Sequence, residues 1–401
     1  MSRTELPAAS SALSILRQPN MRWLFIGNLV SNIGTWFQNI AGAAVMFELT
    51  DSSGWVGAMN FALFGGALFL APWTGNAADR WDRRKLLIAS QVVSATVAGI
   101  LAIMTATGRL DQWVLLAASA LLGLSIAFMA PAILALVPLL VSADDLEPAV
   151  SLNSVSFNLG RAIGPVLGAG VLAGLGAAWA FGLNSLTFVI FVLLLLLVRP
   201  RPQVRITTES PRLRDALRDV RGQRLLVVLL TLTGLISLST DPIFTLTAEM
   251  AQDVLGGTEA TIGILVGAFG IGATITALFL LGWISQRRFA LAGSMTALGI
   301  GILGFAWSTS VPMAIVSLAI GGGGFLASLT RVTARLQVEI PDEQRGRIMA
   351  IWTVMFVGTR PISAPLDGLL ADLISPRFGA TVFALPALLG AAWAWRLVRD
   401  S

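Results

Sequence analysis

Asp241 is followed at once by Pro242 inside an otherwise apolar run, LISLSTDPIF, residues 235–244. Burial penalises a carboxylate, which suits a group that must take up and release a proton. The adjoining proline frees backbone carbonyls, which suits an ion or water path. Asp241 is therefore the first candidate for a proton carrier, with a helix-end cap as the alternative; Glu48 and Asp367 are the next candidates. The chain has no histidine, no cysteine and no tyrosine. A moving proton must then ride on Asp, Glu or water, and thiolate metal sites, disulfides and histidine bases are excluded. No cofactor and no metal are expected. Two arginines, Arg161 and Arg360, also stand in apolar surroundings, where an ionisable residue is functional by default. With Asn28, Asn32 and Gln38 they are the candidates for a substrate cavity. The alternative is that each only bonds to neighbouring carbonyls or amides.

Such residues need a scaffold, and composition says which kind. Of 401 residues, 55% are hydrophobic and 12% are charged, and mean hydropathy is +0.79. A soluble domain carries about twice that share of charge, so a membrane protein is expected. A spanning helix needs about 20 apolar residues. The runs here are continuous, unlike the alternating strands of a barrel. Spans are expected at Trp23–Phe47, Trp55–Trp73, Leu86–Thr105, Trp113–Val137, Ser151–Leu172, Ala177–Val198, Leu225–Leu246, Thr261–Ile284, Phe289–Ala306, Val311–Leu329, Ile348–Leu370 and Ala380–Leu397. By helical rise, Arg161 and Arg360 then lie ~15 and ~18 Å deep, and Asp241 ~24 Å from the basic face. Trp23, Trp55, Trp113 and Trp395 are read as interface markers.

The net charge of +5 and pI near 11.1 would suit nucleic acid. The distribution points to lipid instead. Of the 27 Lys and Arg, all but Arg109, Arg161, Arg360 and Arg377 fall in segments on one side. The positive-inside rule then places both termini in the cytoplasm. The first 20 residues hold Glu5, Pro7, Arg17 and Pro19 and no run of signal-peptide type. The polar stretch 199–224, rich in arginine, divides the chain into a first half, 1–198, and a second, 225–401. It is read either as a basic amphipathic helix on anionic lipid or as a solvated linker. The halves echo one another. Trp55-Val56-Gly57 opens span two as Thr261-Ile262-Gly263 opens span eight, and Arg161-Ala162-Ile163 in span five matches Arg360-Pro361-Ile362 in span eleven. A parallel repeat of this kind places a substrate site between the halves, near the midplane.

Between spans two and three, Gly75 to Lys85 reads GNAADRWDRRK. This resembles the loop signature of the major facilitator superfamily. The resemblance implies twelve helices in two pseudo-symmetric six-helix bundles and a gating role for Gly75, Asp79, Arg80, Asp82, Arg83 and Arg84. Asp79 and Arg83 are read as an inner latch, Arg84 and Lys85 as topology determinants. In span five, NLGRAIGPVLGAG (158–170) is similar to the family's antiporter motif, carried by Gly160, Arg161, Gly164, Pro165 and Gly168. SNIGTWFQ (31–38), FELT (47–50) and PDEQRGR (341–347) further resemble the drug:proton exporter branch that includes macrolide efflux and enterobactin export proteins. Arg360 and Asp367 depart from that branch, where small apolar residues are usual.

The expected activity is proton-antiport export of a small amphiphilic molecule of antibiotic, drug or siderophore type. Alternating access, membrane lipid as environment, a monomer, and the cell (inner) membrane complete the expectation. Uptake of a polar solute by symport is the alternative. An enzyme is not expected, because no phosphate loop or paired-carboxylate motif is present.

Overall fold

The computed structural model describes residues 14–70, 73, 74, 77, 80–142, 145–202, 222–276, 279, 289–340 and 345–399. Among the described residues every regular element is helical. The reason is the solvent: hydrocarbon offers no partner to a backbone N–H or C=O, so each segment must satisfy its own.

The first half runs α1 (Pro19–Thr50), α2 (Ser53–Phe69), α3 (Arg83–Ala106), α4 (Gln112–Leu136), α5 (Leu146–Leu175) and α6 (Ala177–Leu197). Local chemistry sets the ends. Pro19 occupies the first turn of α1, where no N–H is needed. Asp51 then turns the chain in the left-handed region, with φ 50°. Ser52, Asp82 and Asp111 cap α2, α3 and α4 by accepting from backbone N–H groups.

The second half contains two interrupted spans. The seventh is α7 (Arg224–Ser239) and α8 (Asp241–Thr245); α9 (Thr247–Glu249) and a π turn over Met250–Val254 follow it. The eleventh, expected as one helix over Ile348–Leu370, is α13 (Arg345–Val357) and α14 (Arg360–Leu373). Gly358 and Pro361 flank that break, and Pro242 the first. Between them lie α10 (Glu259–Ile275), α11 (Ala290–Ala306) and α12 (Val311–Glu339), and α15 (Pro376–Arg399) follows. Six of the described helical segments are long and apolar enough to cross a membrane, and others are shorter apolar helices. Ile103, Leu193, Leu369 and Leu389 are exposed on the outside of the bundle, while Phe47, Phe181, Phe191 and Phe305 are fully buried.

The halves pack alike. α1 lies on α5 and α6, α3 on α4 and α6, and α2 on α4. Correspondingly, α7 lies on α13 and α15, α11 on α12 and α15, and α10 on α12. Two symmetric contacts join the halves, α2 on α14 and α10 on α5. The repeated glycines explain how close these contacts are. A Cβ at Gly57 would collide with the Ala364 carbonyl, and one at Gly263 would lie 2.7 Å from the Ala169 carbonyl. One end of the bundle gathers Asp51, Glu249 and Asp372 around Ser52 and Ser53. The other is rich in arginine. There Arg84 donates to the Leu195 and Leu196 carbonyls, and Arg201 to that of Val141.

Candidate functional site

Where the two breaks meet, a pocket lies between the halves. Trp36 of α1 and Pro165 of α5 line it from the first half. Phe244, Phe269, Phe325 and Arg360 line it from the second. Phe269 and Phe325 have ring centroids 5.5 Å apart, Trp36 and Phe244 5.6 Å. The Arg360 guanidinium lies 4.3 Å from the Phe244 centroid and 4.9 Å from that of Phe64. Aromatic faces attract a cation and supply apolar surface at once. Arg360 was expected twelve residues into a continuous span. It instead opens α14, because the helix breaks just before Pro361. A cation at a helix N-terminus opposes the helix dipole. The rings and the charge of Asp241 compensate it.

Asp241 sits behind this wall, 2% exposed, in the first turn of α8. The Ser363 hydroxyl donates to its Oδ1 at 2.9 Å and Thr245 to its Oδ2 at 3.1 Å. The breaks are tied together one turn below, where Thr359 donates to Ser237 at 2.8 Å and Ser237 donates to the Phe356 carbonyl at 2.5 Å. Asp367 is also fully buried, one turn beyond Ser363 on α14. Glu48 is exposed near the end of α1 and takes no part in this group.

The first-half amides do not line the cavity. Asn28 donates to Asn153 and Asn32 to Asn28, each at 3.2 Å. Asn184 donates to Gln38 at 2.8 Å. These side chains fasten α1 to α5 and α6, because an amide in an apolar interior must find a partner. The Arg161 side chain lies outside the described residues, so of the expected cavity residues Arg360 is the one seen at the cavity. Trp36, Phe244, Ser363 and Glu249 were missed. Single aromatic and hydroxyl residues carry no distinctive spacing, and Glu249 lay past the expected end of span seven.

The span-five glycines pack α5 on α1. A Cβ at Gly160 would lie 2.8 Å from Asn32 Cβ, one at Gly164 would collide with the Trp36 ring, and one at Gly168 would lie 3.1 Å from Ile40. Thus this motif sets the position of a cavity wall. In the loop signature, Gly75 and Asp79 lie outside the described residues. Arg80 is exposed, Asp82 accepts from the Lys85 N–H at 2.9 Å, and Arg83 donates to the Ala135 carbonyl at 3.0 Å. Arg84 belongs to the gating motif by resemblance and is read as a topology determinant by its charge. Its two 2.8 Å bonds to the Leu195 and Leu196 carbonyls at the C-terminus of α6 give it an anchoring role as well.

The sequence model of the transmembrane secretion effector family matches residues 10–398. The enterobactin exporter EntS of Salmonella choleraesuis (strain SC-B67) is 30% identical over 395 residues, 92% of this chain and 90% of the relative. That of Escherichia coli O139:H28 (strain E24377A / ETEC) is 30% identical over 396 residues, covering 94% and 91%. Among solved structures, an inward-facing, unoccupied bacterial homolog to the human lysosomal transporter Spinster superposes with a TM-score of 0.69 at 12% identity, over 94% of this chain and 96% of that one. The nucleoside transporter NupG does so with 0.68 at 13%, over 94% and 99%. These two share the fold. A multi-pass helical membrane chain with paired halves, a pocket between them and full-length relatives that export is a transporter, and the chain belongs to the transmembrane secretion effector family of the major facilitator superfamily.

Proposed function

We propose that the protein exports a small amphiphilic molecule across the cell (inner) membrane by proton antiport, through rocking of its halves about the cavity. The single observation that carries this reading is Arg360: a guanidinium held among aromatic rings at the cavity, with the buried Asp241 acting on it from behind. Rings take the apolar body of a cargo, and the guanidinium takes a carbonyl or other acceptor. The ionised Asp241 orients that guanidinium and offers an acceptor to hydroxyl or amide donors. Protonation removes both aids, so a neutral, donor-rich cargo and the proton compete, which is the condition for antiport. The enterobactin exporters among its relatives support this cargo class. The arginine-rich end faces the cytoplasm, the chain acts as a monomer in lipid, and its partners are cargo and protons.

The alternative is proton symport of a polar solute. An anionic cargo would compete with the Asp241 carboxylate for Arg360 and bind best after protonation, which reverses the sign of coupling. Proteoliposomes with an imposed pH gradient and enterobactin as probe separate the two. Antiport predicts accumulation on the acidic side. Accumulation on the alkaline side establishes symport, and indifference to the gradient removes proton coupling.

A further inference from the structure

On the seventh span and the short helix after it, Asp241, Thr245 and Glu249 follow at one-turn spacing, and on the eleventh Ser363 and Asp367 do the same. Residues four apart share a helix face, so each set forms a row. The rows meet at Asp241, which accepts from both Ser363 and Thr245. The charges that act on Asp367 are those of Asp241 and Glu249. From the first half, α2 covers the same rows: Asn60 donates to Thr245 at 3.5 Å and Ser53 to Glu249 at 2.5 Å. Backbone packs on backbone there, since a Cβ at Gly368 would collide with the Ser53 carbonyl.

Asp367 is the anomaly. It is 0% exposed, and neither carboxyl oxygen has a hydrogen-bond partner among the described residues. α15 closes against it, for a Cβ at Gly379 would lie 2.9 Å from its Oδ1. Arg377 of that helix donates instead to the Ser308 carbonyl and lies over Trp307. Arg360, at the start of α14, is engaged by Phe64 and Phe244. An ionised carboxylate left without a donor in an apolar interior is severely penalised, whereas a carboxylic acid is tolerated.

Glu249 stands at the acidic end, beyond the span, directly before the π turn. Its burial pushes its carboxyl above the usual range; Ser53 opposes that shift, and the charges of Asp372, Asp253 and Asp51 add to it. Asp372 is itself held by α2, accepting from Ser52 at 2.6 Å and from the Gly54 N–H at 3.1 Å. Asp253 is raised as well, by burial and by Asp51.

We propose that Asp367 is a proton station linking Glu249 at the acidic end to Asp241 beside the cavity, and that the arrangement sealed by α2 is the proton-loaded one. This rests on the proton-coupled reading given above. Each transfer breaks one O–H bond on a carboxylic acid and forms one on the next carboxylate, through an intervening water, and no electrons change hands. The sign of the linkage follows from Glu249. Its proton is held more tightly when buried than when exposed, so acid favours the sealed arrangement, and sealing weakens as pH rises through the raised value.

The test uses the full chain in proteoliposomes with enterobactin as probe. Asp367→Asn is expected to lose gradient-driven accumulation while keeping enterobactin exchange at equal pH, and Asp367→Glu to retain both. A single cysteine at Val56, buried in α2, reports sealing through its maleimide labelling rate. Because maleimide reacts with the thiolate, the rate is taken relative to a cysteine at the exposed Thr258, and wild-type sealing should lower that ratio as pH falls from about 8 to about 5. In Asp367→Asn that ratio should no longer vary with pH. Wild-type accumulation or an unchanged labelling profile in Asp367→Asn overturns the station. Should that variant not fold, Glu249→Gln carries the test, and undiminished gradient-driven accumulation overturns the row. A wild type indifferent to the gradient removes the coupled reading itself, and with it the station, an outcome recognised without any variant.

Discussion

The Ser363 hydroxyl donates to Asp241 at 2.9 Å and so joins the eleventh span to the seventh at the level where both helices break. A carboxylate in that position changes charge at the contact between two moving spans. Asp241→Asn fixes the uncharged form. It is expected to abolish concentrative, gradient-driven export and to leave downhill cargo movement in place. Both modes are measured side by side in proteoliposomes. Persistent uphill pumping would show that Asp241 is not the carrier. Loss of both modes would mark it as a structural or cargo-binding residue.

Arg360→Ala removes the guanidinium from among Phe64, Phe244 and the cavity. Carbonyl-rich cargoes should lose the most, by a charged hydrogen bond of about 1.5–3 kcal/mol. Apolar cargoes should be carried nearly as well. A panel of cargoes assayed against thermal stability of the purified protein reads this. An unchanged cargo range, or a protein that fails to fold, assigns Arg360 to structure instead.

Gly57→Val puts a side chain where the Ala364 carbonyl lies. Overpacking there costs ~1–3 kcal/mol, which biases the two halves away from the sealed acidic end by about 5- to 150-fold. A cysteine at Ser53 should label faster in this variant, and export should slow because the return to the sealed arrangement is penalised. Unchanged labelling would show that α2 and α14 part without strain.

Orientation is tested with cysteines introduced into this cysteine-free chain. One at Ser210 and one at Thr258 should label from opposite faces, the first only from the cytoplasm. Outside labelling of both would dismantle the twelve-span arrangement.

The membrane class, the pairing of the halves and the family were legible in the sequence, because each rests on local or periodic signals. Apolar runs of spanning length, arginine confined to alternate loops, and GNAADRWDRRK at fixed spacing survive without any knowledge of packing. That Asp241 and Arg360 are candidates was legible for the same reason: a charge inside an apolar run is costly wherever the helix lies. What the sequence could not decide was who meets whom. Asn28 and Gln38 read as partners of a cargo or of neighbouring amides, and it is the approach of α5 and α6 to α1 that pairs them with Asn153 and Asn184. Arg360 and Asp241 sit 119 positions apart in the chain, and their relation depends on two breaks falling at one level. Asp367 stood out only from its surroundings, where neither oxygen has a donor among the described residues. A side chain's type sets what it can bond, but its partner is set by helix packing, which sums many small contacts along the whole bundle.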